Sequence, residues 1–214
     1  MKAGVITSDI IQSTAISPAE RERLYKEIKA ALKAVNKLYA LKSEWYRGDA
    51  FQIKTAHIKY SCRVALLVKI FTRSVEKKEK GRGTPKIYDV RMALGIGAIE
   101  PGRDTLALSN GEAFQLSGRM LDTLKTARHN FAITSADVHK DSLYIESQLL
   151  DAVINSTTAA QCRVLYYKLL GFIEDDIAKK LGVSQSTVNQ HANAANWNVI
   201  AAYLDYFENL YAHG

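Results

Sequence analysis

The chain has 214 residues, with 29 Lys and Arg against 22 Asp and Glu and a formal net charge of +7. At 47% hydrophobic and 24% charged it has ordinary globular usage, which excludes wholesale disorder, and its length suits one large or two small domains. Cys62 and Cys162 stand far apart with no companions at metal-ligand spacing, which argues against a disulfide scaffold or a zinc module and for two small core hydrophobes.

The opening run MKAGVITSDIIQS is short and broken by Asp9, so it does not read as a signal peptide, and later apolar runs stop at Lys69 and Asp205. A cytoplasmic protein with no membrane partner is expected. Residues 1–150 carry 25 basic and 16 acidic groups, whereas residues 151–214 carry 4 and 6. This contrast predicts two domains that meet between about Asp141 and Thr158. The charge run Lys77 to Lys86 reads as an exposed loop.

Gly4 to Thr7 is a β-rich run closing on Ser8-Asp9. Ser17-Pro18-Ala19-Glu20 then gives a cap, a proline at the first helical position and an acid three residues after the cap, so a helix follows. Leu24, Ile28, Leu32, Val35 and Tyr39 are its apolar stripe. The stretch SEWYRGDAFQIKT reads as a hairpin with its tip at Gly48-Asp49. A second helix is expected from about His57 to Val75, a strand over Tyr88 to Ile99, a helix over Gly111 to Lys125 and a strand over Phe131 to Thr134. This alternation predicts an α/β sandwich with few strands, of α+β, ferredoxin-like type.

From about Tyr144 the chain reads as all-α, with candidate helices at Leu165 to Leu170, Ile173 to Leu181 and from Ser184 onward. Gly182 supplies the positive φ that ends one helix and Ser184 caps the next, the chemistry of a helix-turn-helix. Ile177, Ala178, Leu181, Val183 and Val188 are its expected apolar contacts. Gln185, Ser186, Thr187, Asn189, Gln190 and Asn193 would face a groove of double-stranded DNA, with Ser184, Lys179 and Lys180 near phosphate. Amides pair bidentately with adenine, so a preference for A·T pairs follows. Lys179 and Lys180 are the cations near the turn, so the nonspecific phosphate term is small unless a dimer or the basic first domain adds to it. Trp197, Ile200, Leu204, Phe207 and Tyr211 form a final stripe that packs within the chain or against a second copy in a homodimer.

Asp9 at a strand end and Asp49 at a hairpin tip can converge on one hard cation such as Mg²⁺, with Ser13 and Thr14 offering donors to a phosphate. Strand ends and turns also use aspartate structurally, and that reading stands beside the first. No Ser-His or Cys-His nucleophile set is readable.

SDIIQST (Ser8 to Thr14) resembles the metal-binding strand and turn of class III nucleotide cyclases, and RGDAF (Arg47 to Phe51) resembles their second metal-binding hairpin. ALGIGAIE (Ala93 to Glu100) and GEAFQLSGRM (Gly111 to Met120) resemble a later strand and helix of that family in the same order. The resemblance implies a cyclase-like domain over residues 1–140 in which Asp9 and Asp49 hold a metal and Arg119 contacts nucleotide. It also departs from the family. Gln115 stands at the transition-state asparagine, and Trp45 and Leu108 stand at the purine-selecting positions, which points away from catalysis.

GDAFQ (Gly48 to Gln52) and LGVSQSTVNQ (Leu181 to Gln190) further resemble the SatD-like family of small bacterial proteins, although Ala50 replaces that family's usual Glu. The resemblance implies a degenerate cyclase-like domain fused to a helical domain over 141–214. Within the latter, the helix-turn-helix spans about 159–196 and a C-terminal packing or dimerisation helix follows. The leading expectation is a DNA-binding regulator with a sensing or dimerising platform. The alternatives are a metal-dependent nucleotide-binding or nucleotidyl-transfer enzyme and a protein-interaction scaffold.

Overall fold

In the computed structural model the first strand, β1 (Lys2–Ile10), lies at the centre of a five-stranded sheet. The structure describes residues 1–46, 48–77, 87–100, 105–106 and 109–212. Arg47, Leu108 and residues 78–86 of the expected basic loop lie outside the described residues. The remaining strands are β2 (Leu41–Trp45), β3 (Ala50–Thr55), β4 (Val90–Ala98) and β5 (Phe131–Ser135). Their order is β2-β3-β1-β4-β5, antiparallel throughout except for the parallel β4–β5 pair.

Alternation along β1 decides which layer covers which face. Ile6 and Ile10, with Phe51, Ile53, Met92 and Leu94 beside them, enter the apolar core under α1 (Pro18–Asn36) and α2 (Ser61–Ser74). The α1 stripe Leu24, Ile28, Leu32 and Val35 is buried there, and the Ser17 hydroxyl accepts the Glu20 N–H at its start. Thr7 and Asp9 belong to the opposite face, where α3 (Glu112–Leu124) packs on β4, β1 and β5. A Cβ on Gly95 would stand 2.4 Å from the Ala113 carbonyl oxygen, so only glycine lets α3 lie this close on β4.

Five helices complete the described chain: α4 (Lys140–Asn155), α5 (Ala159–Leu169), α6 (Glu174–Leu181), α7 (Gln185–Ala194) and α8 (Trp197–Leu210). The main apolar cluster runs on from the sheet through Leu143, Ile154, Cys162, Leu165, Ile200, Leu204 and Phe207. A separate cluster joins Val164, Ile177, Ala178, Val188 and Ala192. Among the described residues no helix is long and apolar enough to cross a membrane.

The elements differ from expectation at specific places. The helix expected from His57 begins at Ser61, because His57 is extended and Ile58–Tyr60 forms a 3-10 turn. The Ser61 hydroxyl closes that turn on the Ile58 carbonyl at 2.6 Å. The helix expected from Leu165 begins at Ala159, started by a capping box in which Thr158 and Gln161 satisfy each other's backbone N–H. Val183, expected among the apolar contacts of the turn, is 40% exposed. The α8 stripe is spent inside the chain, with Ile200, Leu204 and Phe207 fully buried and Trp197 partly so.

Candidate functional site

At the end of β1, Asp9 pairs in register with Ala50 of β3 on one side and Arg91 of β4 on the other. Asp49, in the β2–β3 turn, accepts the Ile10 N–H on its carbonyl at 3.2 Å and a hydrogen bond from the Ser13 hydroxyl on its carboxylate. The backbone thus brings Asp9, Asp49 and Ser13 to one corner of the sheet. Burial pushes the Asp9 carboxyl above its ordinary value, Arg91 and then Lys125 pull it back, and the Asp49 charge adds to the rise.

Arg91 Nη1 lies 3.0 and 2.9 Å from the two Asp9 oxygens. Thr14 is exposed in the 3-10 turn Ser13–Ala15, beyond Gln12 in the left-handed region. Arg119 is exposed on α3, and the cations acting on Asp9 are Arg91 and Lys125. Two carboxylates and a hydroxyl suit a hard cation that brings its own oxygen ligands, as nucleotide-bound Mg²⁺ does. They fit it once Arg91 yields Asp9. Among the described residues no three His, Cys, Asp or Glu groups gather around one point.

Beside this corner a hydrogen-bond chain crosses the same face. Tyr46 donates to Gln52 at 2.7 Å, Gln52 Nε2 donates to Thr7 Oγ1 at 3.1 Å, and the Thr7 and Ser117 hydroxyls are 2.8 Å apart. Burial, then Glu44, pushes the Tyr46 phenol up to about 12, so it donates throughout the neutral range. Sequence reasoning missed this chain, Arg91 and Lys125. The usable signal for Arg91 is register: with β1 and β4 antiparallel, the arginine next to Val90 falls opposite Asp9. Trp45 faces away from the chain, its ring stacked on Phe51 at 4.7 Å and set 5.0 Å from Tyr25 of α1.

The second candidate region is the meeting of α6 and α7. Gly182 adopts φ 66°, the Val183 N–H returns to the Ala178 carbonyl at 3.1 Å, and the Ser184 hydroxyl accepts the Thr187 N–H at 3.1 Å. Val188 and Ala192 seat α7 on Ile177 and Val164. Its other side is uncovered: Gln185, Ser186, Asn189, Gln190 and Asn193 are exposed, and Thr187 is half-buried. Asn193 donates to Asn189 at 2.9 Å and so fixes that amide. Lys179 and Lys180 are exposed at the end of α6, with the Lys180 ammonium 4.8 Å above the Phe172 ring. Glu174, Asp175 and Asp176 begin α6, where they suit its dipole and oppose phosphate.

No family model matches the chain, and no curated protein matches it. Solved structures do. The dimeric guanylyl cyclase domain of the RhoGC fusion protein from the aquatic fungus Blastocladiella emersonii is similar with a TM-score of 0.50 and 18% identity, over 68% of this chain and 84% of that one. A bacterial light-regulated adenylyl cyclase matches at 0.44 with 13% identity, over 62% of this chain and 75% of that one. The GGDEF domain of DgcB from Caulobacter crescentus matches at 0.47 with 10% identity, over 63% and 78%. The α+β fold is therefore nucleotide-cyclase-like, and the likeness speaks for the fold alone.

Proposed function

We propose that the chain is a cytoplasmic DNA-binding transcriptional regulator that acts as a homodimer. In this reading residues 1–140 are a cyclase-like sensing or dimerising domain. Residues 141–214 are a helical domain whose helix-turn-helix, about 159–196, reads double-stranded DNA. The motif order that resembles the SatD-like family agrees with this division.

The supporting observation is the uncovered amide flank of α7, held by an apolar seat on its opposite side. Gln185, Ser186, Thr187, Asn189, Gln190 and Asn193 face the groove, Ser184 lies near phosphate, and Lys179 and Lys180 add charge. The acids at the start of α6 keep one copy weak, which is why the reading includes a dimer. The sensed ligand is a nucleotide carried with Mg²⁺, which supplies charge neutralisation. Asp9 and Asp49 hold the cation, Ser13 and Thr14 meet phosphate, and Arg119 contributes charge.

Selection of genomic fragments by the full chain, followed by a salt titration, tests the DNA reading. Enriched A·T-bearing sites whose affinity falls steeply with salt are expected. Gln185→Ala and Asn189→Ala should each weaken them about tenfold. No enrichment leaves the interaction scaffold. Calorimetry with Mg²⁺ and ATP or GTP tests the ligand, with heat expected from wild type and none from Asp49→Ala. The nucleotidyl-transfer enzyme is the weaker reading, because Trp45 is packed on Phe51 and Tyr25 where a purine-selecting group would be needed.

A further inference from the structure

Between α1, the C-terminal end of α2 and α5 lies a cleft of about 520 Å³ whose lining includes neither Asp9 nor Asp49. Arg23 enters it from α1 and Arg163 from α5. Arg163 Nη2 is 2.8 Å from Glu76 Oε1, in a pair whose side chains are 42% and 41% exposed. Arg23 donates to the Glu76 carbonyl oxygen at 3.2 Å, and its Nη1 stands 3.8 Å from Glu27. Tyr166 and Tyr167, 5.6 Å apart and nearly edge-on, give the cleft flat apolar surface.

Partly exposed ion pairs contribute little to folding, so the stability of the seam does not account for two guanidiniums, the Lys77 ammonium, two carboxylates and two phenols at one opening. A nucleoside monophosphate has a complement for each. Its phosphate accepts from the two guanidiniums. Its base lies on a tyrosine ring, and its ribose hydroxyls donate to the carboxylates. The volume is in the ~300–1,000 Å³ range of small-molecule sites, which favour junctions between structural units. The carboxylates also choose among nucleotides, because the extra charges of a triphosphate would press on Glu27 and Glu76.

We propose that this cleft binds a nucleoside monophosphate without a metal ion and that occupancy fastens α5 to α1 and α2. Calorimetry on the full chain in EDTA, with AMP as the probe, tests it, because chelation silences the Asp9–Asp49 corner. Wild type and Asp49→Ala should bind AMP equally. Arg163→Gln and Arg23→Gln should each bind at least about tenfold more weakly, and inorganic phosphate, adenosine and ATP should all bind wild type more weakly than AMP. Amide exchange in α5 should slow with AMP in wild type and not in Arg163→Gln. Absence of AMP binding by wild type overturns the proposal, as does equal binding by both arginine variants or loss of binding in Asp49→Ala.

Discussion

A single guanidinium nitrogen, Nη1 of Arg91, straddles the carboxylate of Asp9, 3.0 Å from one oxygen and 2.9 Å from the other. The two residues face each other across the β1–β4 pair, so the geometry is set by register and not by a flexible loop. Arg91 supplies the positive charge that an incoming cation must displace. Removing it should therefore strengthen cation binding while pushing the Asp9 carboxyl further up. We expect Arg91→Gln to tighten Mn²⁺ or Mg²⁺ by up to about fivefold, the scale of one partly exposed ion pair. Titration calorimetry at neutral pH measures it, with Asp9→Asn as the blank. Equal silence from wild type and Arg91→Gln would remove the cation from this corner.

Asp137 ties the start of α4 to the end of α8. It accepts from the Ser135 hydroxyl at 2.7 Å, the His139 N–H at 2.9 Å and the Tyr211 hydroxyl at 2.9 Å. Burial alone would raise its carboxyl, but these three donors outweigh burial and hold it below its ordinary value of 3.8. The folded chain therefore takes up this proton less readily than the unfolded one. The stabilisation is complete above about pH 4 and is lost as pH falls through the lower native value. Asp137→Asn should cost about 1–2 kcal/mol at pH 7, with the gap to wild type narrowing in acid. Urea unfolding at pH 7 and near pH 3 compares the two; a gap of constant size would exclude the charge as its source.

The α6–α7 corner rests on two local devices. Gly182 is in the left-handed region, and a Cβ added there would meet no atom within 4 Å, so Gly182→Ala is penalised by backbone conformation and not by a clash. Ser184→Ala removes the acceptor of the Thr187 N–H. Each should cost about 1 kcal/mol. Because the corner has its own small cluster, Val164, Ile177, Ala178, Val188 and Ala192, amide exchange should quicken in α6 and α7 before it does in β1 or β4. Uniform quickening across the chain would mean that the corner unfolds only together with the sheet.

Local chemistry explains what is legible in the sequence. Ser17-Pro18 and Gly182-x-Ser184 carry their own caps, and the β2–β3 hairpin carries Gly48-Asp49 at its tip, so those elements stand where the sequence places them. The Thr158–Gln161 capping box is equally local, and it marks the start of α5 where the apolar run at Leu165 marks only its buried middle. The site divides in the same way. Asp9 and Asp49 are visible as residues at a strand end and a turn, whereas Arg91, 82 positions from Asp9, enters only once β1 and β4 are paired. In the Tyr46–Gln52–Thr7–Ser117 chain only the first link is local to the hairpin, whereas the second needs β3 paired with β1 and the third needs α3 laid on β1.

The buried polar knot beneath α2 carries the last prediction. Lys69 is fully buried, its ammonium 3.1 Å from Asp89, 3.3 Å from Asp151 and 3.2 Å from the Val90 carbonyl. One turn later Arg73 takes the other Asp89 oxygen at 2.6 Å and donates to the Asn155 and Thr157 carbonyls at 3.1 and 3.4 Å. Asp151 also receives the Asn130 N–H at 2.7 Å and the Asn155 amide at 2.9 Å. The knot therefore joins α2 and the entry to β4 to α4 and the approach to α5. Lys69→Met leaves Asp151 charged, buried and without its cation, whereas Asp89 keeps Arg73. The single variant should lose about 3–5 kcal/mol. Adding Asp151→Asn should return part of that loss, because the amide still accepts from Asn130 and no longer needs a counter-charge. Urea unfolding of the four-member cycle should give a coupling of about 1–3 kcal/mol. Losses that simply add would mean that Lys69 is held by Asp89 alone and that α4 is fastened to α2 by apolar packing.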